Sequence, residues 1–165
     1  MIRTGLGYDS HRFADGHNIW LGGVEIPHDK AFSAHSDGDV VLHALTDAIL
    51  GAIAAGDIGE HFPPTEERWK GKSSDFFVKH AVSLANDKNF RIVNIDITII
   101  AEQPKLRPFK ITIANRIAEI VDISPDCVSV KAKTNEKMGS LGRSEGIATI
   151  ANVLLIDKSL NLSKQ

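Results

Sequence analysis

The sequence predicts an α+β fold: a single domain with one mixed β-sheet and helices packed on one of its faces. Three observations lead there. Strand-like and helix-like runs are interspersed, without the regular alternation of a parallel strand–helix–strand repeat. Ile92 to Ile100 sets Ile95, Ile97 and Ile99 on one side and Asn94, Asp96 and Thr98 on the other, which describes a strand with one dry face. The stretch from Val40 to Ile53 is apolar around well over half of a helix's circumference, so it must be buried on most sides.

The remaining elements follow in order. Ile2 to Tyr8 reads as a short strand ending near a loop. Ile19 to Ile26 reads as a hairpin turning at Gly22-Gly23. Asp37-Gly38 opens the apolar helix, which runs to about Ala55 and stops at Gly56-Asp57. His61 to Lys72 is polar, contains Pro63-Pro64 and Gly71, and reads as a loop. Ser73 or Ser74 can cap a helix reaching about Asp87. Pro108 suits the first turn of a helix to about Val121, which Ser124-Pro125 ends. Val128 to Ala132 and Ile147 to Ile156 supply the last strands. One domain over residues 1–157 with a tail at 158–165 is the simplest division.

Composition narrows the function. The 165 residues are 42% hydrophobic and 24% charged, enough for one ordinary core and unlike a disordered or collagenous chain. Nineteen Lys and Arg against 21 Asp and Glu give a net charge of −2, so no basic surplus points to nucleic acid. A single cysteine, Cys127, excludes an intrachain disulfide and a CxxC metal knuckle, which fits a reducing cytoplasm. Met1 to Gly5 reads as neither a signal nor a transit segment. Val40 to Ala55 falls short of the roughly 20 residues that span a bilayer. The expected partners are small molecules, with no nucleic acid and no membrane.

Several residues stand out against this background. Asp9 and His11 lie two apart, so on an extended chain they share a face and offer one carboxylate and one imidazole. That pair alone is weak, since D-x-H arises by chance. His43 lies inside the most apolar helix. It is either a satisfied core histidine or a ligand, with Asp39 and Asp47 one turn away on either side to orient it. Asp9, His11 and His43 together would make the three-ligand set that a catalytic zinc uses, leaving one corner open. Ala34-His35-Ser36-Asp37-Gly38-Asp39 sits where a helix begins. It reads as an N-cap, although His35 has no capping reason to be there, or as an anion site. Gly56-Asp57-Ile58-Gly59 is a helix stop or a place of close ligand approach. Lys131 to Lys137 gathers donors and Glu136 at a strand end, either around a phosphate or as a solvated loop. Gly139 to Gly146 is neither a P-loop nor a Rossmann turn.

Taken together, these motifs form an ordered pattern. Gly7-Tyr8-Asp9-Ser10-His11, Leu21-Gly22-Gly23-Val24, Ala34-His35-Ser36-Asp37-Gly38-Asp39-Val40, Leu42-His43-Ala44, Gly56-Asp57-Ile58-Gly59, Phe62-Pro63, Gln103-Pro104-Lys105-Leu106 and Gly142-Arg143-Ser144-Glu145-Gly146 follow one another along the chain. In this the chain closely resembles the 2-C-methyl-D-erythritol 2,4-cyclodiphosphate synthase family of the non-mevalonate isoprenoid pathway, from Ile2 to about Ile156. The resemblance implies conversion of 4-diphosphocytidyl-2-C-methyl-D-erythritol 2-phosphate to the cyclic diphosphate with release of CMP. It implies a homotrimer with active sites between subunits.

The resemblance also assigns residues. Asp9, His11 and His43 match zinc ligands, and Glu136 matches the holder of a second divalent cation, Mg²⁺ or Mn²⁺. His35 and Thr134 match positions that stabilise the transition state. Ala101, Glu102, Gln103, Pro104, Lys105, Leu106 and Arg107, with Ala132, Lys133 and Asn135, match the cytidine and phosphate pocket. Ser36, Asp57, Ile58, Gly59, Phe62, Pro63, Pro64, Thr65 and Glu66 match the methylerythritol side. Arg143 matches an arginine lining the trimer channel. Ser140 stands where many relatives carry Phe, Ser144 replaces a usual Gly, and Arg107 is a larger, charged variant. The chemistry needs no Ser or Cys nucleophile, because the substrate's own 2-phosphate attacks. Two other readings compete: a zinc-dependent phosphohydrolase using water, and a non-catalytic trimeric carrier of nucleotides or isoprenoid phosphates.

Overall fold

The computed structural model describes residues 1–34, 37–63, 65–69 and 71–160. Its strands are β1 (Ile2–Ala14), β2 (Ile19–Leu21), β3 (Val24–Ile26), β4 (Ala31–Phe32), β5 (Phe90–Ile100), β6 (Val128–Lys133) and β7 (Gly146–Asp157). Its helices are α1 (Val40–Ala52), α2 (Ile58–His61), α3 (Ser74–Asp87), α4 (Lys110–Val121) and α5 (Gly139–Gly142). Five strands form one sheet in the order β4-β1-β7-β5-β6, and β2 with β3 forms a separate hairpin turning at Gly22-Gly23. The sheet is mixed: β5 and β6 run parallel, and the other pairs are antiparallel. No helix among the described residues is long and apolar enough to cross a membrane.

The core lies between the sheet and the helices on one face. Ile95, Ile97 and Ile99 are fully buried there, as their alternation requires, with Leu45 and Ile49 of α1 and Ile113 and Ile117 of α4. Asp39 caps α1 and also ties the hairpin to it. Its carboxylate accepts the N–H groups of Gly22 at 2.8 Å and Gly23 at 2.6 Å as well as those of Val41 and Leu42.

Two glycines set how closely α1 approaches. A Cβ on Gly5 would lie 1.9 Å from the carbonyl oxygen of Ala48, and one on Gly7 would lie 1.9 Å from that of Ala44. With no side chain on this stripe of β1, the helix backbone rests directly on the strand. That contact carries His43 down onto the next two inward positions of β1, Asp9 and His11.

The differences from expectation have local causes. β1 continues past Tyr8 to Ala14, because the polar run pairs with β7 as far as Arg12↔Gly146 and then with β4 at Phe13↔Phe32. Ladder hydrogen bonds override weak strand propensity there. Asp9 and His11 therefore lie within a strand and not in a loop. α4 ends at Asp122, which takes a left-handed conformation (φ 58°), before Ser124-Pro125 is reached. The expected loop after His61 contains a 3₁₀ turn at Glu67–Trp69.

Candidate metal centre and substrate site

Alternation along β1 turns Gly5, Gly7, Asp9 and His11 to one side, toward α1. Asp9 Oδ2 lies 3.2 Å from His43 Nδ1 and 3.4 Å from His11 Nδ1. One ligating atom from each of these three residues falls within 4.8 Å of the others. Zinc bonds of about 2.0–2.1 Å in a tetrahedron separate neighbouring ligand atoms by about 3.3–3.4 Å, and the two edges that meet at Asp9 Oδ2, 3.2 and 3.4 Å, lie close to that value. The side chains are 13–26% exposed, so the group is sheltered yet reachable. Burial acts to raise the Asp9 carboxyl, but the adjoining His43 and His11 rings and the Ser10 N–H outweigh it and hold Asp9 below the usual carboxylate range. A carboxylate that stays ionised between two imidazoles is a suitable donor set for a divalent cation.

Neither acidic neighbour on α1 orients His43 in the way the helical spacing suggests. Asp39 spends its oxygens on two backbone N–H groups of the cap and two of the hairpin. Asp47 Oδ1 accepts the N–H of Ile58 at 2.8 Å. The ring nitrogen away from Asp9, Nε2, meets Ser74 Oγ at 2.9 Å. Ser74 is fully buried at the start of α3, its hydroxyl donates to Asp37 Oδ1, and its N–H donates to Asp37 Oδ2 at 2.8 Å. Sequence reasoning missed Ser74 because a serine at a helix start already has a sufficient local explanation as a cap. Only the packing of α3 against α1 shows its contact with His43.

The bond from Asp47 to Ile58 also folds Asp57, Ile58 and Gly59 back beside α1. Asp57 caps α2 through the N–H of Glu60 at 2.9 Å. Burial pushes the Asp47 carboxyl up, and the nearby charges of Asp57 and Asp9 add to that against the pull of the Ile58 N–H. Phe62 is buried against Phe77 (4.6 Å between ring centroids) and Trp69 (5.1 Å), which anchors the segment carrying Pro63, Thr65 and Glu66. His35, Ser36 and Pro64 lie outside the described residues.

A second group assembles at the opposite edge of the sheet. Ala101 N–H donates to the Lys133 carbonyl at 2.8 Å, joining the turn after β5 to the end of β6. Glu102 Oε1 accepts the N–H groups of Asn135 (3.0 Å) and Lys137 (3.1 Å). Thr134 Oγ1 donates to Glu136 Oε1 at 2.7 Å. Gln103-Pro104 is a cis peptide, Lys105 Nζ donates to the Glu102 carbonyl, and Leu106 is buried. Ala132 and Arg107 belong to the same lobe. Arg143 pairs with Glu145 at 2.7 Å on the β6–β7 connection.

The two groups stand level with each other but apart. Asp9 pairs with Thr149, Thr149 with Ile99, and Ile99 with Ala132. Three strand spacings of about 4.8 Å put roughly 14 Å between the metal-ligating edge and the β6 edge.

Fold and site together define a class: an α+β protein with one helix-backed sheet and a candidate Asp-His-His cation site beside it. The chain belongs to the YgbB family, whose model matches residues 2–156. It is 53% identical over 155 residues to a bifunctional enzyme IspD/IspF of Paracoccus denitrificans, a match covering 94% of this chain and 41% of that protein. The chain spans about two fifths of the length of the curated relatives it matches. Among solved structures it is similar to IspF of Plasmodium falciparum in complex with CDP, with a TM-score of 0.84 and 38% identity over 95% of this chain and 97% of that one. It is also similar to a 2C-methyl-D-erythritol 2,4-cyclodiphosphate synthase of Plasmodium vivax, with a TM-score of 0.81 and 35% identity over 96% and 99% of the two chains.

Proposed function

We propose that the chain cyclises 4-diphosphocytidyl-2-C-methyl-D-erythritol 2-phosphate to 2-C-methyl-D-erythritol 2,4-cyclodiphosphate and releases CMP. The observation that carries this reading is the Asp9–His11–His43 cluster, with its two edges at Asp9 near tetrahedral length, in a member of this family. A bound Zn²⁺ would supply Lewis acidity at a phosphate oxygen, and a second cation at Glu136, Mg²⁺ or Mn²⁺, would offset charge between the phosphates. An oxygen of the substrate's 2-phosphate forms a bond to the β-phosphorus, and the bond from that phosphorus to the CMP oxygen breaks. The nucleophile is already part of the substrate, so the work of the protein is to bring its two ends together. Positioning of this kind can be worth about 7–11 kcal/mol.

Each edge of the sheet takes one part of that task. Asp57, Ile58 and Gly59 stand with the metal ligands and hold the methylerythritol end, with Phe62, Pro63, Pro64, Thr65 and Glu66. The lobe of residues 101–107 and 132–135 holds the cytidine and its phosphates. Thr134 and His35 donate where charge gathers on the transferring phosphoryl group. A gap of about 14 Å is too wide for these halves to meet on one subunit. The helix-free face of the sheet exposes Leu6, Tyr8 and Ile150, an apolar strip that favours a partner. A homotrimer in which the β6 edge of one copy meets the β1 edge of the next satisfies both, and in it Arg143 takes the role of the channel arginine that the family resemblance implies. The lone Cys127 accords with a cytoplasmic setting.

Incubation of substrate with the metal-loaded protein in ¹⁸O-water tests the reading. The expected products are CMP and cyclic diphosphate, both free of solvent oxygen. Incorporated label would instead identify a phosphohydrolase, and tight nucleotide binding without turnover would identify a carrier.

A further inference from the structure

We infer that Ser74 is a positioning residue for the metal centre: it fixes which nitrogen of His43 carries the proton. The inference rests on the Asp9–His11–His43 reading above and extends it to a residue outside the ligand set.

The assignment follows from counting protons. Ser74 Oγ carries one. Asp37 Oδ1 lies in hydrogen-bond contact with that oxygen, and an ionised carboxylate only accepts, so the serine proton points to Asp37. Asp37 cannot turn away, because its Oδ2 takes the Ser74 N–H at 2.8 Å and its Oδ1 also takes the Asp39 N–H at 3.2 Å. Ser74 Oγ therefore meets His43 Nε2, 2.9 Å away, as an acceptor. The histidine proton must sit on Nε2, which leaves the Nδ1 lone pair directed to the side where Asp9 Oδ2 lies 3.2 Å away. Two acceptors that close need a cation, or a second proton, between them. The chain Asp37–Ser74–His43 thus holds the ring in the tautomer that can ligate, with Ser74 at its middle fully buried. A ligating histidine whose other N–H is fixed by a partner binds metal about 10- to 100-fold better than one without that partner.

Three substitutions separate this role from mere packing. Ser74→Ala removes the acceptor. Asp37→Asn keeps the serine but reverses its orientation: the amide oxygen must take the Ser74 N–H, the amide NH₂ then donates to Ser74 Oγ, and the serine proton turns toward His43 Nε2. Ser74→Thr retains the hydroxyl. The first measurement needs no variant. In ¹⁵N-histidine-labelled, metal-free protein at about pH 9, above the ordinary histidine range, the His43 signal should show the proton on Nε2. In Asp37→Asn it should show the proton on Nδ1. Zinc affinity, read by competition with a chromophoric chelator, should fall about 10- to 100-fold in Ser74→Ala and Asp37→Asn and return toward wild type in Ser74→Thr. A wild-type His43 proton on Nδ1, or a folded Ser74→Ala protein with wild-type zinc affinity, overturns the proposal. Failure of the wild-type protein to take up zinc would overturn the metal reading, while the tautomer measurement would still decide the role of Ser74.

Discussion

Two pairs of histidines show how a single neighbour decides what an imidazole does. His11 and His43 share a carboxylate, and the shared charge makes a ligand set. His61 and His80 share none. His61 Nε2 donates to the Ala55 carbonyl at 2.7 Å, and His61 Nδ1 faces His80 Nε2 at 3.4 Å. Desolvation, then the charge of His61, depresses the His80 pKa below its ordinary value near 6.5. The folded state therefore binds fewer protons than the unfolded chain just below that pH. The stability associated with neutral His80 is complete above about pH 6.5 and is lost as pH falls through the folded-state pKa. Thermal melts should show Tm dropping more steeply below about pH 6.5 in the wild type than in His80→Gln. Parallel curves would remove His80 as the cause. At this scale the sequence was partly legible. D-x-H on an extended chain marked Asp9 and His11, and a histidine amid apolar neighbours marked His43. Ser74 and the His61–His80 contact depend on how α3 lies against α1 and α2, which no spacing along the chain encodes.

Among the elements, the pairing of β1 with α1 governs the site. Replacing Gly7 with alanine would drive a methyl group into the Ala44 carbonyl, a backbone atom that cannot swing aside. The helix must lift or the strand must bend, at a cost of about 1–3 kcal/mol or more. Because the lifted segment carries His43, Gly7→Ala should lose zinc affinity as well as Tm. Calorimetry and metal titration on the same sample would check this, and retained affinity with lowered Tm would show that the site tolerates the shift. Helix and strand identities were readable from periodicity, as Ile95, Ile97 and Ile99 and the apolar positions of α1 illustrate. Boundaries were less so. The polar second half of β1 becomes strand only because β7 and β4 lie beside it, and that pairing is a tertiary fact.

For the whole molecule, the proposed division of labour between two sheet edges makes a mixing experiment decisive. His43→Ala should fail at the metal edge and Glu136→Gln at the nucleotide edge, each leaving a nearly inactive protein. If sites form between copies, subunits scrambled in equal amounts should recover about a quarter of wild-type activity, since one site in four then joins two intact halves. No recovery after verified subunit exchange would mean that each chain completes its own site.

The alternation of β1 binds two further matters together. Its odd positions seat the helix and offer the candidate cation ligands, while Leu6 and Tyr8 on its even positions face outward. A one-residue slip of β1 against β7 and α1 would exchange the two sets, turning aspartate and imidazole onto the greasy outer surface and burying leucine and tyrosine under α1. Metal capture and the sticky exterior are thus written in the same two-residue rhythm, and a frame change in that strand would erase both at a stroke.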